Sequence, residues 1–210
     1  MSGDTLSGRY PLTNPFASAV GLQAMAFQGN IPTRSSLQYL GYSGLADTAA
    51  ALTSGKVTLV AVPVCQGDQI QFVDVIVGAT AAAEPEHSFA ALYSSSGNLL
   101  GLQSTDGETA AIAKEKRFTF TLGEKHVVQP AEIGGNDGGC IYVGISVTAK
   151  TKVPSLSAAS IATAVGYQRF SVAPVFYAAN SGSAVEGTAP KSVTLASATL
   201  QAGVPEVYLR

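Results

Sequence analysis

Residues 65–103 read CQGDQIQFVDVIVGATAAAEPEHSFAALYSSSGNLLGLQ, and this stretch decides the fold. Two runs rich in β-formers, 69–78 and 88–93, flank an Ala/Glu/Pro segment that reads as a loop. A third run, 99–103, follows the second across Ser94-Ser95-Ser96-Gly97-Asn98. Gly67-Asp68 opens the first run and Ser96-Gly97-Asn98 closes the second, so the turn chemistry agrees with the strand pattern. An antiparallel hairpin inside a larger sheet is expected.

Outward from this stretch the same grammar continues. Residues 56–65 (KVTLVAVPVC) read as a strand in which Pro63 calls for an edge or a bulge. In 117–122 (RFTFTL) strict alternation turns Phe118, Phe120 and Leu122 to a core and Arg117, Thr119 and Thr121 outward. Residues 140–148 (CIYVGISVT) place Ile141, Val143, Ile145 and Val147 on one face. Further short strands are expected at 36–42, 110–113, 170–178, 191–200 and 204–210. Helical turns are expected in the Ala-rich 45–52, and a long Ser/Ala-rich connection at 150–166. Turns are expected at 105–108 and 134–139. Short strands at this spacing, with no long helix between them, predict an all-β, antiparallel, jelly-roll-like β-sandwich over residues 35–210. Residues 1–34, rich in Gly, Pro, Ser and Asn and without a sustained period, predict an extended irregular N-terminal arm.

Composition narrows the function. Charged residues make up 12% of the 210, about half the usual share. The exterior is therefore largely neutral, and part of it is expected to be covered by partners. A net charge of −2 and a pI near 5.6 carry no basic footprint, which argues against nucleic acid. The densest basic cluster, 114–117 (KEKR), contains an acid and reads as a solvated strand start. No segment approaches the ~20 apolar residues of a membrane span, and 1–13 has no secretory pattern, so synthesis in a cytoplasm is expected. Cys65 and Cys140 do not form a disulfide framework. They could pair on neighbouring strands, but buried thiols are the preferred reading.

Constellations for chemistry are thin. A zinc site would have to gather His87, His126, Cys65 and Cys140 from distant segments. Glu84/Glu86 and Asp106/Glu108 read as solvated loop acids rather than a glycosidase pair. No G-x-S-x-G elbow supports a hydrolase, and Asn136-Asp137-Gly138 lacks the alternating acids of a calcium loop. No cofactor is expected. Tyr10, Tyr39, Tyr42, Tyr93, Tyr142, Tyr167, Tyr177 and Tyr208 offer sugar-stacking rings in principle, but without tryptophan they read mostly as core or interface residues.

The run 87–105 (HSFAALYSSSGNLLGLQST) resembles a motif of bacteriophage virion β-sandwich proteins, especially accessory proteins of heads and tails. These carry an ALYD-like strand end, an (S/A)SG turn and an LLA-S-D-like return strand. The Gly-Asp turn near Val62–Ile70, the FTFT strand at Phe118–Thr121 and the YVGI strand at Tyr142–Ile145 extend the resemblance from about Lys56 to Ala149. It implies a non-enzymatic virion protein, often a homotrimer, that decorates the capsid or sits in the tail as a minor tail protein. The implied partners are the major capsid protein or other virion subunits. The alternative is a receptor-binding role on a host surface glycan. The family lends no catalytic residues. Attachment is expected through the arm, above all Tyr10, Phe16, Met25 and Phe27.

Overall fold

The computed structural model describes residues 34–36, 48–104, 116–134, 139–160, 177–179, 187–195, 199–200 and 203–210. Its strands, in chain order, are β1 (Arg34–Ser35), β2 (Thr48–Ala51), β3 (Thr58–Val64), β4 (Gln69–Ile76), β5 (Ala83–Tyr93), β6 (Leu99–Gln103) and β7 (Arg117–Val127). After the one-turn helix α1 (Pro130–Ile133) come β8 (Gly139–Lys152), β9 (Ser155–Ser160), β10 (Tyr177–Ala179), β11 (Thr199–Leu200), β12 (Gly203–Pro205) and β13 (Val207–Leu209). Every described pairing is antiparallel.

The strands form a four-stranded sheet in the order β1-β13-β4-β7, a six-stranded sheet β11-β10-β3-β8-β5-β6 and a three-stranded sheet β12-β9-β2. A bridge between Ser104 and Leu122 joins the open edges of β6 and β7, so the two larger sheets curl into one another along that side. Another, Val77 to Leu156, carries the end of β4 onto β9. The all-β antiparallel sandwich expected from the sequence is what forms. These strand orders do not by themselves make it a jelly roll.

Alternation explains the main core. Phe118, Phe120 and Leu122 of β7 face Val73 and Val75 of β4, with Ile141, Val143, Ile145 and Val147 of β8 across the sandwich. The Phe118 and Phe120 rings meet edge to face, 4.7 Å between centroids. β3 departs from alternation because every one of its residues is buried. Val60, Val62 and Val64 enter this first core, whereas Leu59 and Ala61 enter a second core on the other face of the six-stranded sheet. Phe89, Ala91, Tyr93 and Tyr142 join that second core, closed from outside by Ala159, Ala189, Val193 and Val204. Gly144 is required there: a Cβ would stand 2.6 Å from the Tyr93 ring and 2.9 Å from Val57.

Several expectations are corrected by packing. The Ala-rich 45–52 is not helical where described. Thr48–Ala51 is a strand whose Ala50 and following Leu52 are buried while Ala49 and Ala51 are exposed. Pairing with β9 overrides alanine's helix propensity. The expected connection at 150–166 is β8 running on to Lys152 and then β9, where Leu156 and Ala158 point inward and Ser155 and Ser157 are only half-buried. The expected loop after residue 78 becomes strand from Ala83, with register shifts on both sides of Pro85. Pro63 lies in an interior strand, opposite Cys140 of β8; on the other side β10 pairs only with Thr58–Val60, so no described strand lies beside Pro63 there. The antiparallel hairpin expected inside a larger sheet does form, as β5–β6 in the six-stranded sheet, while the run 69–78 belongs to the four-stranded one. The expected strand at 204–210 is broken at Glu206, where the chain leaves the three-stranded sheet for the four-stranded one. The expected strand at 191–200 is confined, as described, to β11 and a bridge at Ser192. The expected strand at 110–113 lies outside the described residues.

Residues 187–195 strap the β5–β6 turn. Leu99 N–H donates to Lys191 O at 2.9 Å, and Val193 N–H to Gly97 O at 2.8 Å. Gly97 has φ +85°, and a Cβ there would lie 2.3 Å from Val193 O. Gly101 has φ +79° with open space around it. Gly101→Ala is therefore expected to cost about 1–3 kcal/mol of backbone strain, and Gly97→Ala more, because the strap must also shift. Urea unfolding of both variants checks this; equal losses would contradict the close approach.

Candidate functional site: the loop end of the sandwich

The turns after β3, β5 and β7 gather at one end of the sandwich, where β1 also begins. The turn Cys65-Gln66-Gly67-Asp68 needs glycine, since Gly67 has φ +84°. Asp68 N–H donates to Cys65 O, and Asp68 Oδ2 accepts from Cys65 N–H at 2.8 Å. The same carboxylate takes Arg34 Nε at 2.6 Å and Nη2 at 2.8 Å, a two-pronged ion pair with both side chains under a tenth exposed. Beside it, Ser36 Oγ donates to Pro205 O at 2.6 Å and accepts from Val207 N–H at 3.0 Å. With Arg34 opposite Leu209 and Ser35 opposite Tyr208, residues 34–36 are built into the sheet. Arg34, grouped with the arm by the sequence reading, is a strand residue.

On the outer face of the four-stranded sheet, Asp74 is almost fully buried. It accepts from the Thr119 hydroxyl at 2.5 Å and Arg210 Nε at 2.6 Å, with Arg117 Nε at 3.4 Å. Arg210 lies over the Phe72 ring, 4.9 Å from its centroid, and its backbone pairs with Phe72. Two buried carboxylates thus hold residues 34 and 210 to the same sheet.

Tyr208 faces outward next to this hub and donates to Glu206 Oε1. Burial, then this contact with Glu206, pushes its phenol up to about 12. The folded phenol keeps its proton to higher pH than the unfolded one, near 10. Its contribution to stability is whole below about pH 10 and is lost as pH rises toward 12. Ultraviolet titration should show a late-ionising tyrosine that Tyr208→Phe removes; an unchanged curve would sink the assignment.

At the end of β7, Gln69 pairs with Val127, and Gly67 N–H and Val128 N–H exchange hydrogen bonds with Val128 O and Asp68 O. Glu132 accepts from Gln129 N–H at 2.9 Å and meets His126 Nε2 at 2.8 Å, and Gly134 closes α1 in the left-handed conformation. Gln129 Nε2 donates to Val127 O at 2.9 Å. Val127, 43% exposed, stands out as the exposed large apolar side chain among the described residues.

The structure separates the residues weighed for chemistry. His87 lies on β5 in the six-stranded sheet and His126 on β7 in the four-stranded one. Among the described residues no three His, Cys, Asp or Glu stand close enough for a metal ion. Cys65 stands in the turn just past the end of β3, whereas Cys140 lies within β8 opposite Pro63. No disulfide joins them. Burial pushes the Cys65 thiol up against the pull of Arg34, so it is a poor nucleophile. Glu84 accepts from the Thr151 hydroxyl and Glu86 pairs with Lys150, both at the far end of the sandwich and exposed. Tyr93 and Tyr142 are core residues.

Tyr10, Phe16, Met25, Phe27, Asp106, Glu108 and the Asn136-Asp137-Gly138 turn lie outside the described residues. Sequence reasoning missed the Arg34–Asp68 and Asp74–Arg210 pairs. A signal existed for one: Asp74 is a lone charge inside the apolar run QIQFVDVIV. No family model, curated protein or solved structure matches the chain.

Proposed function

We propose that this chain is a non-enzymatic structural protein of a bacteriophage particle, a capsid decoration or head-accessory subunit that attaches through residues 1–33. One observation carries the reading: the root of that segment is locked into the sheet by the buried Arg34–Asp68 pair, the Ser36 contacts and the pairing of β1 with β13. Force on the attached segment then passes into sheet hydrogen bonds rather than peeling a loose tail. The scarcity of charge and the resemblance of residues 56–149 to virion sandwiches support the same reading. Repetition over a symmetric lattice, with trimers as the closed unit, would make weak individual contacts cumulative.

Deleting residues 1–33 tests it. The truncated protein is expected to keep cooperative unfolding while losing binding to phage particles assembled without this chain. Undiminished particle binding by the truncated protein would refute attachment through this segment. Retained binding to host-wall glycan, with no particle binding by either form, would instead favour a receptor-binding role in the tail.

A further inference from the structure

The strap, residues 187–195, supplies no strand to the three sheets and meets the six-stranded one through a single bridge, Ser192 to Asn98. Its Gly187, Ala189 and Val193 are buried, while Thr188, Lys191, Ser192 and Thr194 face water. None of its residues enters the first core, which is therefore complete without it. The second core takes Ala189 and Val193, with Leu195 packed against them. The hydrogen bond from Leu99 N–H to Lys191 O fastens the strap beside the residue that pairs with Tyr93.

Tyr93 is the odd member of that second core. Its side chain is fully buried, yet among the described residues its hydroxyl has no hydrogen-bond partner. Burial alone pushes the phenol well above its ordinary range. A hydroxyl shut away from water without a partner favours any state in which water reaches it. From this juxtaposition we propose that residues 187–195 are a lid, which opens as a unit while both large sheets stay folded. Opening brings water to the Tyr93 hydroxyl and to the aromatic patch it forms with Phe89 and Tyr142. The cost of opening is small beside that of unfolding, because among the strap's described residues only Ala189, Val193 and Leu195 leave apolar surroundings. Its polar outer face is compatible with water in either state.

Amide exchange of the full chain, read residue by residue by NMR, tests the lid. Val193 N–H, which donates to Gly97 O, is expected to be protected at least about tenfold less than the Val143 and Ile145 amides of β8. Gly97→Ala is expected to cut Val193 protection a further tenfold or so, because the new Cβ presses on Val193 O. Gly101→Ala strains β6 whether the lid is open or shut, so Val193 protection is expected to stay within about twofold of the parent. Tyr93→Phe is expected to raise that protection about fivefold or more, since the closed lid no longer buries an unpartnered hydroxyl. Equal protection of Val193 and the β8 amides overturns the proposal, because the strap then opens only with the whole fold. So does a loss from Gly101→Ala as large as that from Gly97→Ala. Val193 protection unmoved by Tyr93→Phe overturns it as well, since the strap would then not cover the phenol.

Discussion

Replacing Asp68 with alanine is expected to cost about 3–5 kcal/mol, the range for stranding one member of a buried ion pair. Arg34 and Asp68 side chains are 7% and 9% exposed, so water cannot replace the lost carboxylate without opening the sheet edge. An exposed pair would be worth at most about 1 kcal/mol. The variant also removes the acceptor for Cys65 N–H. Asp68→Asn, which keeps an oxygen in the turn but discards the charge, separates the two effects. Pairing Asp68→Ala with Arg34→Met is expected to recover much of the loss, since no buried guanidinium then remains. Urea unfolding of the singles and the double measures the coupling. A cost below about 1 kcal/mol for Asp68→Ala would mean that the root of residues 1–33 is solvated, and the mechanical argument for attachment would fall with it.

Phe89→Ala is expected to cost about 3–5 kcal/mol, comparable with the roughly 2–5 kcal/mol expected for Leu92→Ala on the opposite face of the same strand. A two-layer sandwich predicts one heavy loss and one mild one, because one face of each strand meets water. Here both side chains are fully buried: Leu92 lies in the first core, and Phe89 packs in the second with Leu59 and Tyr93. Chemical denaturation of the two variants decides the matter. A loss under about 1 kcal/mol for Phe89→Ala would show that the second core is not a packed layer.

Legibility in the sequence followed side-chain size. The period-two signal is strong where large apolar residues alternate with polar ones, as in Phe118, Phe120 and Leu122 or Ile141 through Val147, and those faces are where the sequence placed them. It fades in β2 and β9, whose inward positions are filled partly by Ala50 and Ala158, residues that suit helices or connections equally well. It is absent in β3, because burial on both faces turns alternation into a continuous apolar run. The anchoring pairs were the least visible, since their members stand 34 residues apart for Arg34 and Asp68 and 136 apart for Asp74 and Arg210.

By itself the sequence determined that this is an all-β protein, where the turns at 65–68 and 94–98 fall, and which faces of its strongest strands are apolar. Those properties arise from backbone conformational preferences and from spacing within a few residues. Tertiary structure alone decided that the six-stranded sheet is covered on both sides, that Glu206 carries the chain from one sheet to another, and that Asp68 holds Arg34 at one end of the sandwich. Each of these depends on which distant strands become neighbours. Many pairings satisfy the same alternation, and only the packed whole selects among them.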